Sequence, residues 1–191
     1  MRRILPWFLL LAAPAALAHG GHQGHGGLVD GLLHPLLGLD HLLAALAVGL
    51  WAGRMEGPVR LAAPLAFAVT MLFAAAFGLA VSLPDWLAAM IEPGIAVSLM
   101  ALGLLLTLPS SLRPAIALSM LPALAVVHGL AHGTEGMAGA GPAYLAGLGA
   151  STLALHATGL LLALRMTPRL MPNATRGFSL IMLASGMWAL L

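Results

Sequence analysis

The chain alternates between long apolar runs and short breaks made of proline, glycine or charged residues. Each run is close to the roughly 20 residues that a helix needs to cross a bilayer. The pattern therefore predicts an all-α membrane protein with six transmembrane helices, over residues 32–53, 59–83, 86–108, 114–132, 143–165 and 174–191. The third run contains Glu92-Pro93, so we expect its regular helix to begin only at Pro93.

Residues 1–18 have the pattern of a cleavable signal peptide. Arg2 and Arg3 precede an apolar stretch, and Ala16-Leu17-Ala18 is a small-x-small cleavage site. An uncleaved first span is the alternative, but the stretch is short for one and contains two prolines. The predicted mature protein begins at His19 with a periplasmic leader rich in histidine and glycine, residues 19–31, followed by one membrane domain, residues 32–191.

The composition excludes several classes of protein. Hydrophobic residues make up 61% of the 191 positions and charged residues only 7%, which is too apolar for a soluble domain of this size. The absence of cysteine excludes disulfides and thiolate metal sites. The net charge is only +2 and the arginines are scattered, so no nucleic-acid partner is expected.

The arginines also predict the orientation of the chain in the membrane. If the signal peptide is cleaved and six spans follow, every arginine of the mature chain faces the cytoplasm, while Asp85 and Glu135 face the periplasm. The arginines concerned are Arg54, Arg60, Arg113, Arg165, Arg169 and Arg176. This distribution predicts a multi-pass protein of the bacterial inner membrane with a periplasmic mature N-terminus.

Two short polar strings interrupt the apolar runs. The first contains His34, Asp40 and His41, and the second contains His128, His132 and Glu135. Ionisable side chains within a membrane are costly and usually functional. Imidazole and carboxylate without thiol form a ligand set for Ni²⁺, Co²⁺ or Zn²⁺. Because the predicted orientation places both strings near the periplasmic face, we expect one shared metal site.

The spacing within the strings favours this interpretation to different degrees. His128 and His132 are four residues apart, so a helix presents both on one face, with Glu135 continuing the stripe. The alternative is that these histidines only hold helices together through hydrogen bonds. His34 and His41 would be about 10 Å apart along a straight helix, so a bend before Pro35 is expected to bring them closer. Asp40 either binds the metal or orients a histidine.

Five further residues are weaker candidates for a metal path. His19, His22 and His25 of the leader are typical of a low-complexity segment that captures metal, unless the leader is inert. Glu92 would line the path in the periplasmic leaflet. His156, near the middle of the fifth span, is either a deeper ligand or a structural hydrogen-bonding residue.

At these residues the chain resembles the HupE/UreJ family of nickel/cobalt permeases. The resemblance lies in His-Pro-x-x-Gly-x-Asp-His at 34–41 and His-Gly-x-Ala-His-Gly-x-Glu at 128–135. It implies a secondary permease that takes up Ni²⁺, or Co²⁺ as the second choice, for hydrogenase, urease or cobalamin assembly. It also implies that the six polar residues of the two strings are functional, and that the only metal is the transported one rather than a permanent cofactor.

Two other functions use the same residue types. In an intramembrane zinc hydrolase, His34, His41 and either His128 or His132 would hold zinc while a carboxylate activates water. In a haem protein, histidines from different spans would be axial ligands. The leader rich in histidine and the short loops favour a transporter over an enzyme, and the carboxylates beside the histidines argue against haem.

Overall fold

The computed structural model describes residues 26–108, 113–136 and 139–191, and in these ranges it contains α-helices and no strands. The predicted signal peptide and the leader histidines His19, His22 and His25 lie outside the described residues. The helices are α1 Leu28–Leu37, α2 Leu39–Gly53, α3 Val59–Ala80, α4 Asp85–Ala88, α5 Ile91–Thr107, α6 Arg113–Thr134, α7 Pro142–Arg165 and α8 Met171–Ala189.

The first predicted span is two helices rather than one. The axes of α1 and α2 differ by 86°, and the break lies at Gly38, whose backbone is extended. The expectation of a bend before Pro35 is therefore wrong, because Pro35 lies within α1. Pro35 has no N–H to donate to the carbonyl of Gly31, and Gly38 has a low helix propensity, so the helix ends at Leu37, two residues after the proline.

The third predicted span also begins differently. The four-residue helix α4 is followed by a turn, and α5 begins at Ile91. Glu92-Pro93 thus lies in the first turn of α5 and does not delay its start. The first turn tolerates proline because the N–H groups there have no partner within the helix.

Several helices are long and apolar enough to cross a membrane. These are α3, the segment Asp85–Thr107 and α7, with a fourth if α1 and α2 together form one bent span. Half or more of each window lies unburied, and large apolar side chains such as Phe73 and Leu65 face outward. Such a continuous apolar exterior requires lipid, so the chain is a multi-pass membrane protein. Helix α6 has the length, about 33 Å, but its histidines and other polar residues lower its hydropathy.

Glycines bring the helices together in pairs. The most extensive contacts join α3 to α6, α2 to α7 and α5 to α8. A Cβ atom at Gly129 would lie 2.3 Å from the Met71 carbonyl oxygen, and one at Gly49 would lie 2.2 Å from that of His156. Only glycine permits such close backbone contact, which is the usual packing of membrane helices. Each of these two pairs is therefore held backbone to backbone.

The two polar strings lie at the same end of the bundle. Residues from the α1–α2 break, the start of α5 and the end of α8 line one cleft there, and the ends of α3 and α6 line a second. At the opposite end, Arg54, just after α2, donates a hydrogen bond to the Leu106 carbonyl near the end of α5. We call the first end the histidine end of the bundle.

Candidate metal site

Four imidazole rings from three helices meet at the histidine end. His34 comes from α1, His41 from α2, and His128 and His132 from α6. The ring centroids are 4.1 Å apart for His41 and His132, 5.0 Å for His34 and His132, and 5.3 Å for His41 and His128. We call these four side chains the imidazole cluster. The structure thus brings the histidines of the two strings together.

The break at Gly38 is what allows His34 to join the cluster. On a straight helix His34 and His41 would be separated by about 10 Å along the axis. In the structure their ring centroids are 6.0 Å apart, because α1 turns by 86° across the end of α2. The contact of Gly31 on α1 with the Tyr144 carbonyl on α7 holds the short helix in this position.

The outer part of the cluster combines two imidazoles and a carboxylate. His34 Nε2 lies 3.2 Å from Glu135 Oε2, and both side chains are partly exposed. One ligand atom from each of His34, His132 and Glu135 lies within 4.8 Å of the others. We call these three residues the outer triad. Their nitrogen and oxygen atoms need to move only slightly to surround a divalent ion, at distances of about 2.0–2.2 Å for zinc.

Glu135 reaches the triad because α6 continues past Gly133. The helix ends at Thr134, and the Glu135 amide still donates to the Ala131 carbonyl at 2.8 Å. Gly133 does not end the helix. Instead it lies against α3, where a Cβ would be 2.5 Å from the Ala75 carbonyl oxygen.

Asp40 fixes the orientation of His41. Asp40 Oδ1 lies 2.8 Å from His41 Nδ1 and 2.9 Å from the His41 amide nitrogen. A carboxylate only accepts, so the ring donates from Nδ1 and its lone pair is on Nε2. His41 Nε2 is buried and has no hydrogen-bond partner. Carboxylates orient metal-binding histidines through hydrogen bonds of this kind, so the geometry suits an orienting role for Asp40.

Ser98 of α5 performs the same task for His128. The Ser98 hydroxyl lies 2.7 Å from His128 Nε2 and 2.7 Å from the Ile95 carbonyl oxygen. The carbonyl can only accept, so the single hydroxyl proton goes to Ile95 and His128 donates from Nε2. The lone pair of His128 is therefore on Nδ1. Both side chains are almost completely buried, so the ring has little freedom to turn.

His132 connects the outer and inner parts of the cluster. Its ring is 2% exposed, and its Nδ1 has no hydrogen-bond partner. The Tyr144 hydroxyl of α7 donates to the His132 backbone carbonyl at 3.1 Å, which holds the end of α6 against α7. Buried imidazole nitrogens are normally hydrogen-bonded. The unpaired nitrogens of His41 and His132 are therefore suited to contact an incoming metal ion.

Beneath the cluster lies a small cavity, and beside it lies an open cleft. The cavity measures about 10 Å³, about enough for one water molecule, and its lining includes three of the four histidines and Thr152. The cleft measures about 580 Å³ and lies between the α1–α2 break, α5 and α8. Asp40 and Glu92 are the carboxylates in its lining. Glu92 thus lies beside the cluster, within electrostatic range of His41, but outside the outer triad.

His156 lies apart from the cluster. It is on α7, four residues after Thr152, and its ring is 3% exposed. Phe67 of α3 lies between the two regions, with ring centroids 6.2 Å from His128 and 5.5 Å from His156.

Three residues of the site were not among those predicted from the sequence: Ser98, Phe67 and Tyr144. Ser98 is the only polar side chain between Glu92 and Thr107, and Tyr144 is the only tyrosine of the chain. The isolated hydroxyl groups of Ser98 and Tyr144 in apolar helices could have indicated a specific role for both residues. Phe67 gave no such signal, because Phe73 and Phe77 on the same helix face outward.

Comparison with known proteins identifies the family. The model of the family described as HupE / UreJ protein matches residues 7–189, nearly the whole chain. The chain belongs to the HupE/UreJ family. A relative, Protein HupE of Rhizobium leguminosarum bv. viciae, is 38% identical over 157 residues, which cover 80% of this chain and 78% of the relative. No solved structure matches the chain. The resemblance to the HupE/UreJ family that was inferred from the two polar strings is confirmed.

Proposed function

We propose that this protein is a secondary permease that takes up a divalent transition metal ion, Ni²⁺ first and Co²⁺ second, from the periplasm into the cytoplasm. The observation that carries the proposal is the meeting of His34, His132 and Glu135 from separate strings, with ligand atoms within 4.8 Å of one another. Membership of the HupE/UreJ family supports the same function.

The donor set suits this cargo. Nitrogen and oxygen donors without sulfur bind borderline divalent ions, whereas Cu⁺ prefers thiolate or thioether. Affinity alone would rank Cu²⁺ above Ni²⁺ and Co²⁺, so selectivity has to come from the geometry of the cluster. His34 and Glu135 are partly exposed, so an ion arriving from the periplasm meets them before the buried His41 and His128.

We also propose the topology: a cleaved signal peptide, six spans and a periplasmic histidine end in the bacterial inner membrane. The support is the position of Arg54 at the end opposite to the cluster and the absence of any arginine from residues 61–112 and 114–164. In this orientation an inside-negative potential of about 100 mV favours entry of a doubly charged ion by about 4–5 kcal/mol. No ATP-binding motif is needed to drive uptake.

The topology can be tested directly because the chain has no cysteine. Ser82→Cys in the α3–α4 loop should react with a membrane-impermeant maleimide in intact cells. Thr167→Cys in the α7–α8 loop should react only after the membrane is permeabilised. Three predicted spans separate the two positions, so reaction of both from outside would contradict the proposed topology.

The decisive experiment is uptake of ⁶³Ni²⁺ and ⁵⁷Co²⁺ by cells that lack other importers of these ions. Wild-type protein should accumulate at least one ion, and His128→Ala and His132→Ala should abolish accumulation at matched expression. Thr158→Ala, an exposed position on α7, is the control and should transport normally. Absence of uptake by well-expressed wild-type protein would contradict the proposal. Stoichiometric zinc in the purified protein would then favour an intramembrane hydrolase.

The physiological role that we propose is supply of the metal for hydrogenase, urease or cobalamin assembly. This follows from the family and from the chemistry of the cargo, because the first two use nickel and the third uses cobalt. Deletion of the gene should lower the activity of one such pathway at low external metal, and added Ni²⁺ or Co²⁺ should restore it. The ion that restores activity identifies the physiological cargo.

A further inference from the structure

His156 is a buried polar side chain that the fold does not satisfy. It is 3% exposed, and neither Nδ1 nor Nε2 has a hydrogen-bond partner. The Pro64 backbone of α3 approaches the ring as a hydrogen-bonding group would, but the contact falls outside the distance and angle limits of a hydrogen bond. Burial of a polar group without a partner is destabilising. A leucine at this position would avoid that cost, so the imidazole needs another explanation.

The surroundings of His156 connect it to the imidazole cluster. The cavity beneath the cluster is lined by Thr152, which lies one helical turn before His156 and on the same face of α7. Met71 also lines this cavity, with its sulfur 3.8 Å from the Thr152 hydroxyl. From His128 the next aromatic contact is Phe67, and from Phe67 it is His156. A continuous series of contacts therefore leads from the cluster to the unpaired ring.

The backbone around His156 is held firmly. Gly49 of α2 contacts the His156 carbonyl, and Gly159 of α7 contacts the Leu46 carbonyl. This reciprocal glycine contact fixes the backbone that carries the ring. The imidazole is therefore held beyond the cavity, on the side away from the histidine end, by a rigid part of the bundle.

We propose that His156 is an inner binding station, which accepts the metal ion from the imidazole cluster during transport. This inference rests on the proposed function. A single imidazole binds an ion weakly, so the ion can leave toward the cytoplasm, whereas the several donors of the cluster capture it first. The ion passes the Phe67 ring between the two stations. The His156 nitrogen that carries the lone pair is then partnered for as long as the ion is bound.

A purely structural role makes the opposite prediction for stability, and this separates the two interpretations. If His156 only packs the bundle, His156→Leu and His156→Gln should lower the melting temperature and impair metal binding and uptake together. If His156 is a station, His156→Leu removes an unsatisfied polar group, so its melting temperature should equal or exceed that of the wild type.

The experiment measures three properties of wild type, His156→Leu, His156→Gln and the control Thr158→Ala: melting temperature in detergent, Ni²⁺ affinity of the purified protein, and initial rate of ⁶³Ni²⁺ uptake. We expect both His156 variants to bind Ni²⁺ within about twofold of wild type but to lose about tenfold or more of the maximal rate, because only the step after capture is impaired. Thr158→Ala should match wild type in all three.

Two results would overturn the inference. One is uptake at the wild-type rate by His156→Leu, and the other is a joint loss of stability, binding and uptake in both variants. In either case wild type still transports, so the proposed function stands. Failure of wild type to transport would instead refute the proposed function and the inference with it.

Discussion

Removal of the Ser98 hydroxyl should weaken metal binding without touching any ligand. In the structure His128 Nε2 donates to Ser98, which leaves the lone pair on Nδ1. In Ser98→Ala the imidazole loses this partner in a region where Ser98 is 1% and His128 2% exposed. The ring then gains by adopting its other tautomer or by turning, and neither presents Nδ1 in the same way.

The magnitude follows from the cost of restoring the binding geometry. A buried donor that loses its acceptor costs about 1–3 kcal/mol. At about 1.4 kcal/mol for each factor of ten, this range corresponds to a loss of affinity of about 5–150-fold. Replacement of groups that orient metal-bound histidines typically costs about 10–100-fold. We therefore expect a loss of about 10–100-fold in Ni²⁺ affinity for Ser98→Ala.

The assay is a Ni²⁺ titration of purified protein, combined with the concentration dependence of ⁶³Ni²⁺ uptake in cells. Ser98→Thr keeps a hydroxyl at this position and should retain more of the affinity than Ser98→Ala. Ser179→Ala is the matched control, because Ser179 of α8 is also a buried serine, which packs against Gly103 of α5 and is not part of the imidazole cluster. Equal affinities of Ser98→Ala, Ser179→Ala and wild type would refute the reasoning about the His128 tautomer.

Three further results are expected. Asp40→Asn replaces a charged acceptor of the His41 ring with a weaker neutral one, so the apparent KM of ⁶³Ni²⁺ uptake should rise about tenfold or more. An unchanged KM would contradict the orienting role of Asp40. Gly129→Ala places a methyl group 2.3 Å from a carbonyl oxygen of α3 and should lower stability by about 1–3 kcal/mol, whereas Gly177→Ala points into open space and should raise it by about 0.5–1 kcal/mol; thermal unfolding in detergent measures both. Saturating Ni²⁺ at about 100 times Kd should stabilise wild type by about 2.7 kcal/mol, and a chelator should reverse this shift. His132→Ala should show little stabilisation by Ni²⁺ at the same concentration.

The helices were largely predictable from the sequence because apolar runs and their breaks are local properties. Helix α3 begins at Val59 as predicted, and α7 ends at Arg165 as predicted. The meeting of the two polar strings was also predictable, since alternating spans return the chain to the same end. Whether these residues bind metal stays a prediction, which the uptake and titration experiments test.

The break at Gly38 and the role of Ser98 were not predictable from local pattern. Proline suggested a bend, but the position of the bend depends on the packing of α1 against α7 through Gly31 and Gly147. Ser98 gains its role only from the approach of α5 to α6, which no spacing within α5 specifies. In both cases tertiary contact decides what a local propensity leaves open.

The glycine contacts divide the candidate ligands between two groups of closely packed helices. His128, His132 and Glu135 belong to α6, which is joined backbone to backbone with α3, whereas His34 and His41 belong to α1 and α2, which are joined in the same way to α7. Metal–ligand distances tolerate changes of only about 0.2 Å. A relative displacement of the two groups by about 1 Å would therefore disassemble the coordination sphere while every side chain kept its protonation state and rotamer. The affinity of the proposed site would then depend on helix packing, including the Tyr144 hydrogen bond that joins α7 to α6, as well as on its ligands.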